Sequence, residues 1–231
     1  MDRSGDLRVG RMIMLTVADI EPYIESEFSS RLEPLGFRRL GQRKWIRSQK
    51  QPIRELFTIV SLKGGRYSPA WGLSTGIVPS FRGHSFRRQS TDKNAVMDLI
   101  VDPIDVTADV PLQTFSFITG YDSEIPVTQI RECAEHFVPI ALADFSRVHS
   151  LRDFCHFFLE RSRLKYRRFT FDMYVQHQLS HGFVHILNGQ KDDGVEMIHK
   201  FCKTMEANFA DRILSECIRE AEEASFESEI S

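Results

Sequence analysis

Leu32-Glu-Pro-Leu-Gly-Phe-Arg-Arg-Leu-Gly-Gln-Arg-Lys-Trp-Ile-Arg47 is the stretch where one kind of order stops and another begins. Upstream of it, Ile20, Tyr23, Ile24, Phe28, Leu32 and Leu35 fall at three- and four-residue steps. That spacing lines one face of an α-helix, predicted from Thr16 to Leu35. Thr16 and Asp19 have the spacing of a capping box at its start, and Gly36 supplies the stop. Downstream come three runs rich in β-branched and aromatic residues: Phe37 to Arg47 around Trp45, Glu55 to Leu62, and Ala70 to Val78 around Trp71. Lys63-Gly-Gly-Arg66 reads as the turn between the second and third. A helix with one apolar stripe followed by alternating strands buries that stripe on the sheet, so the expected opening is a helix packed on an antiparallel β-meander.

Further out, Arg82 to Asn94 reads as a polar, basic loop. Asp98 to Val101 and Thr114 to Thr119 add two short strands around an irregular link marked by Pro103 and Pro111. From Pro126 the period turns helical and stays so. Ile130, Ala134, Phe137, Val138, Ala141, Phe145 and Val148 line a long helix, with Pro126 in its first turn. Ser150 and Asp153 cap the next, a third runs from Phe171 to Leu187 and ends at Asn188-Gly189, and Asp193/Glu196 and Asn208/Asp211 open two more. The fold class is therefore α+β: an N-terminal helix on an antiparallel meander, followed by a C-terminal helical layer of about five helices. The expected division is an α+β basic sheet domain over 1–125 and a helical region over 126–231, or one continuous domain joining the two.

With 231 residues, 42% of them hydrophobic, the chain can build a sizeable core. Its aromatic content is carried by 18 Phe against five Tyr and two Trp, and rings without a polar tip belong inside. No apolar run approaches the ~20 residues that span a bilayer, and Met12-Ile-Met-Leu15 is too short for a secretory signal. A cytoplasmic protein without membrane contact is expected. Cys133, Cys155, Cys202 and Cys217 lie far apart with no C-x-x-C pair, as buried thiols in a reducing compartment do.

The net charge of −2 hides an asymmetry. Arg31 to Lys93 holds 14 Lys or Arg against Glu33, Glu55 and Asp92, a balance of +11. Asp98 to Glu124 carries six acids and no base, and Glu206 to Ser231 has a balance of −6. Arg38, Arg39, Arg43, Lys44 and Arg47 crowd the first hairpin around Trp45, and Arg82, Arg87, Arg88 and Lys93 crowd the following loop. Such a face suits an acidic protein partner, which electrostatic complementarity would steer. The same face could neutralise phosphates of a nucleic acid, with Trp45 or Trp71 as a stacking platform. An acidic tail after Glu223 could also fold back over it. A second cluster, Arg161 to Arg168, suits a helix C-terminus or the acidic stretches.

Of reactive patterns, the sharpest is His177-Gln-Leu-Ser-His181 followed by His185. Residues four apart share a helix face, so His177 and His181 could hold one divalent metal for hydrolysis. Gln178 stands where the zinc proteases place a general-base Glu, and His185 lies about 12 Å along the axis from His177. Cys133 and His136 are helical neighbours on an apolar face, no G-x-S-x-G is present, and Gly64-Gly65 lacks the Gly-Lys-Ser/Thr ending of a phosphate loop. No cofactor is implied.

The helix, the Gly36-Phe37 pair, the basic residues after it and the strand around Trp45 resemble the opening of a bacterial family, a domain of unknown function of the four-three-zero-four type, over about residues 17–80. The resemblance implies a bacterial cytoplasmic protein without an assigned activity, and it transfers no catalytic residue. In that pattern Gly36 ends the helix and Phe37 turns inward. The expected function is a non-catalytic protein-binding module of the immunity or defence accessory kind, with nucleic-acid binding and metal-dependent hydrolysis as alternatives.

Overall fold

The computed structural model describes residues 17–62, 66–101, 117–118, 124–164, 171 and 174–226. Helix α1 (Val17–Leu32) passes through a 3-10 turn, Glu33–Leu35, to Gly36, whose φ of 85° lets its N–H reach the Glu33 carbonyl at 3.0 Å. The run expected as one strand from Phe37 to Arg47 is two, β1 (Arg38–Gly41) and β2 (Lys44–Lys50), folded on each other at Gln42-Arg43. Gly41 and the left-handed Arg43 (φ 57°) make that reversal, which a reading by alternation alone does not see. Strands β3 (Ile53–Leu62), β4 (Arg66–Ser74), β5 (Ser80–Arg82), β6 (Ser85–Arg87), β7 (Leu99–Val101) and β8 (Phe117–Ile118) follow. The main sheet is an antiparallel path β1-β2-β3-β4-β7, with β8 pairing the other end of β4 at Arg66 and Tyr67. Among the described residues, strands β5 and β6 pair only with each other, and β6 falls in a stretch whose sequence reads as a loop.

Register explains the two faces of the sheet. Trp45 sits opposite Phe57, Phe57 opposite Trp71, and Trp71 opposite Val101, so large rings from neighbouring strands share one face. Phe57 and Trp71 stack at 6.4 Å. Two helices cover that face: α1, through Ile20, Ile24, Phe28 and Leu32, and α2 (Glu124–Ser146), through Ala134, Phe137, Ala141 and Phe145. Each buried indole N–H is tied to one of them. Trp45 Nε1 donates to Ser29 Oγ at 3.0 Å, and Trp71 Nε1 donates to Asp144 Oδ2 at 2.8 Å. The opposite face carries a smaller cluster of Ile46, Leu56 and Ala95, with Leu40 and Met97 at its edge. It is roofed by the chain from Gln89 to Asp98: Arg54 donates to the Gln89 and Thr91 carbonyls, and Ser48 to Asp92.

Among the described residues five helices follow the sheet: α2, α3 (Leu151–Ser162), α4 (Val175–Leu187), α5 (Lys191–Thr204) and α6 (Arg212–Glu223). Ser150 caps α3 as its sequence implies, accepting from Asp153 N at 3.2 Å, while Asp153 accepts from His149 N at 3.0 Å. Helix α4 starts later than Phe171, and α5 starts at Lys191 with Asp193 inside its first turn. Asp211 caps α6 through Ile213 and Leu214. One continuous apolar cluster runs from Ile20 of α1 through Trp71 and Phe137 to Phe183, Leu214 and Ala221, so both halves of the chain share it. No helix among the described residues is long and apolar enough to cross a membrane. Thr16, the Lys63-Gly64-Gly65 turn, Pro103, Pro111, the end of the Arg161–Arg168 cluster and the first residues lie outside the described residues.

Helices α4 and α5 meet where neither has a side chain. A Cβ on Gly194 would come within 2.5 Å of the Gly182 carbonyl oxygen and 2.9 Å of Ile186 N, both backbone atoms. Gly194→Ala therefore has to push the two helices apart, and we expect a loss of about 1–3 kcal/mol in urea denaturation. An unchanged midpoint would mean that the helices do not touch there.

Candidate anion-binding site

The hairpin β5–β6 is built from a repeated triplet, Ser-Phe-Arg, on either side of Gly83-His84. Both turn residues are left-handed (φ 54° and 62°), the two-residue turn whose twist suits a hairpin, and glycine takes the first place without strain. Phe81 faces Phe86, Ser80 faces Arg87 and Arg82 faces Ser85 across it. Alternation then sorts the side chains. Phe81 and Phe86 turn to one side and pack on Phe201 of α5, with ring centres 5.2 and 6.5 Å away. Ser80, Arg82 and Arg87 turn to the other side.

That second side is one wall of a recess of about 210 Å³. Lys44 enters it from β2, Lys93 and Asn94 from the 3-10 turn Asp92–Asn94, and Arg88 from the end of the hairpin. Lys44 Nζ donates to the Ala95 carbonyl at 2.6 Å. Burial, and then the positive charge of Arg82, holds the Lys44 ammonium below its ordinary pKa. Arg88 is compensated by Glu216 and Glu220 of α6. Among the described residues, no carboxylate pairs with Lys44, Arg82, Arg87 or Lys93.

The cations of β1, β2 and β3 other than Lys44 are paired. Arg38 pairs with Asp92, Arg39 with Glu25, Arg43 with Glu21 at 3.4 Å, and Arg47 with Glu55, which also takes Lys50 at 3.1 Å. Arg54 is buried beside Asp92 at 3.6 Å. Counter-charges for the first hairpin thus come largely from α1, packed across it, and from the turn behind it. Five of the residues expected on a binding face, Arg38, Arg39, Arg43, Arg47 and Arg88, hold the fold's own acids instead. Trp45 is fully buried, as is Trp71, so neither can stack on a base. Lys44, Arg82 and Arg87 remain, and the structure brings them together with Lys93.

The histidine pair does not assemble. His177 is buried, its Nδ1 donates to the Phe171 carbonyl at 2.8 Å, and its Nε2 accepts from Ile100 N at 2.7 Å. Both nitrogens are used, so no lone pair is left for a metal beside His181. Burial pushes the ring's pKa down to about 4, against the Phe171 bond that favours its charged form, and His181 adds to the fall. His185 Nδ1 lies 2.9 Å from Gln190 Oε1. Among the described residues no three His, Cys, Asp or Glu side chains converge as a metal site. The cysteines are free and buried, and burial lifts Cys133, Cys155 and Cys217 to about 12, which leaves no thiolate nucleophile near neutral pH.

One buried acid has no counterpart in the sequence reading. Asp98, fully buried, accepts from Thr75 N at 2.7 Å, Thr75 Oγ1 at 3.0 Å, Gln89 Nε2 at 2.9 Å and Gln176 Nε2 at 3.2 Å. Gln89 also donates to the Val78 carbonyl and accepts from Val96 N, so the network anchors the roof segment to the sheet. In sequence, the signal for the recess was the doubled Ser-Phe-Arg, and for Asp98 there was none beyond its place beside a strand. Set against known protein families, curated proteins and solved structures, the chain matches none.

Proposed function

We propose that the protein is a non-catalytic binding module that recognises an anionic group on an acidic partner through the recess between β2, the β5–β6 hairpin and the Asp92–Asn94 turn. A single observation carries this reading. Arg38, Arg39, Arg43, Arg47 and Arg54 each face a carboxylate of the chain, yet among the described residues none pairs with Lys44, Arg82, Arg87 or Lys93 where they converge. Four like charges around one concavity repel each other, and an incoming anion relieves that repulsion on binding.

The test is fluorescence anisotropy with a labelled polyglutamate peptide and a single-stranded oligonucleotide of matched charge. Polyglutamate should bind at low salt and weaken steeply as ionic strength approaches ~0.15 M. The triple variant Arg82→Glu/Arg87→Glu/Lys93→Glu, at three exposed positions, should lose about two orders of magnitude in affinity with an unchanged circular dichroism spectrum. Wild-type-like binding by that variant would overturn the reading. Markedly tighter binding of the oligonucleotide would move it to nucleic acid.

A further inference from the structure

We infer that the recess, on the reading above, takes a phosphoryl group, either free or carried on a phosphorylated side chain of the partner. Size comes first. At about 210 Å³ the recess has the volume of on the order of seven water molecules. That accommodates one or two tetrahedral phosphoryl groups, and it falls short of the ~300 Å³ at which pockets begin to enclose whole organic ligands. No tryptophan, tyrosine or phenylalanine among the described residues lines it, since Phe81 and Phe86 turn to the far side of the hairpin, so none of them holds a base or an apolar body there.

Donor chemistry comes second. A carboxylate offers two oxygens in a plane, which one guanidinium can engage together, as Arg161 does elsewhere in this chain by donating from Nη2 to both oxygens of Asp144. A phosphoryl group offers three oxygens spread over a hemisphere, and matches cations arriving from several directions. Here the donors come from three separate elements: Lys44 from a sheet strand, Arg82 and Arg87 from the hairpin, and Lys93 with the Asn94 amide from the turn. Lys44 is partly buried with one carbonyl partner, so it is already desolvated where a dianion would sit.

Titration calorimetry on the full chain at low salt decides the matter with four ligands: inorganic pyrophosphate, a phosphoserine peptide, the same peptide with Glu at that position, and citrate. A phosphorylated ligand should bind at least about tenfold more tightly than citrate and the Glu peptide, and whichever phosphorylated ligand binds more tightly names the source. Arg87→Gln, at an exposed position, and Lys44→Met should each weaken it by about tenfold, with Arg38→Gln, held by Asp92 away from the recess, unchanged. Equal binding of citrate or the Glu peptide, or no loss in Arg87→Gln and Lys44→Met, overturns the phosphoryl assignment. Absence of binding by every phosphorylated ligand also overturns it. In each of those cases the polyglutamate experiment, run on the Arg82/Arg87/Lys93 variant, still decides separately whether the recess binds anions at all.

Discussion

Asp144→Ala should cost about 3–5 kcal/mol in urea denaturation, the largest loss expected from any single substitution discussed. Asp144 is buried on α2 and receives Arg161 at both carboxylate oxygens, each 3.0 Å away, together with the Trp71 indole N–H. Removing the carboxylate leaves the Arg161 charge inside the core without this partner and the indole without its acceptor. Desolvation of the pair was itself costly, so most of the effect is the penalty of breaking it. The double variant Asp144→Leu/Arg161→Met removes both charges and should recover at least half of the loss. If Asp144→Ala proves as stable as the wild type, the pair is not buried and the docking of α2 and α3 on Trp71 is wrong.

The second large effect depends on pH. Burial pushes Asp98 up to about 6 from its ordinary 3.8, even against the hydrogen bonds it accepts from Thr75, Gln89 and Gln176. A carboxyl group whose pKa is higher in the folded chain binds its proton more tightly there than in the unfolded chain. Its contribution to stability is therefore fully present below about pH 4 and is lost as pH rises to about 6. The difference corresponds to about 3 kcal/mol. Other carboxylates titrate in the acid range too, so the measurement is the difference between wild type and Asp98→Asn at pH 4 and at pH 7. Asn aims an amide N–H at neighbouring amide donors and carries a cost that does not vary with pH. The gap between the two proteins should shrink by about 3 kcal/mol from pH 4 to pH 7. Parallel stability curves would mean that the hydrogen bonds outweigh burial and Asp98 is ionised throughout.

Much of the architecture was legible because it is written in local period. The steps from Ile20 to Leu32 place α1, the alternation around Trp45, Phe57 and Trp71 places the central strands, and Ser150 with Asp153 marks the start of α3. The hairpin of three-residue strands was missed because alternation needs more than three residues to stand out, although the repeated Ser-Phe-Arg around Gly83 was its trace. The pairing of the expected binding face was illegible for a different reason. Counting charge along the chain treats neighbours in sequence as neighbours in space, whereas Arg39 and Arg43 are answered from α1 and Arg88 from more than a hundred residues away. His177 shows the same limit: helical spacing says which residues share a face, and only packing says that this face meets the Phe171 carbonyl and Ile100 N–H.

The β5–β6 hairpin divides its labour strictly between its two sides. Phe81 and Phe86 fasten it to α5, while Arg82 and Arg87 make no side-chain hydrogen bond or ion pair among the described residues. Substitutions of these two arginine side chains are therefore almost free of structural consequence. If the recess binds as proposed, descendants of this chain can change what it accepts, by trading Arg82 or Arg87 for a neutral or acidic residue, without renegotiating how the chain folds. On the proposed reading, recognition is a replaceable surface on a fixed mount, and lineages should diverge at residues 82, 87 and 93 well before they diverge at 81 and 86.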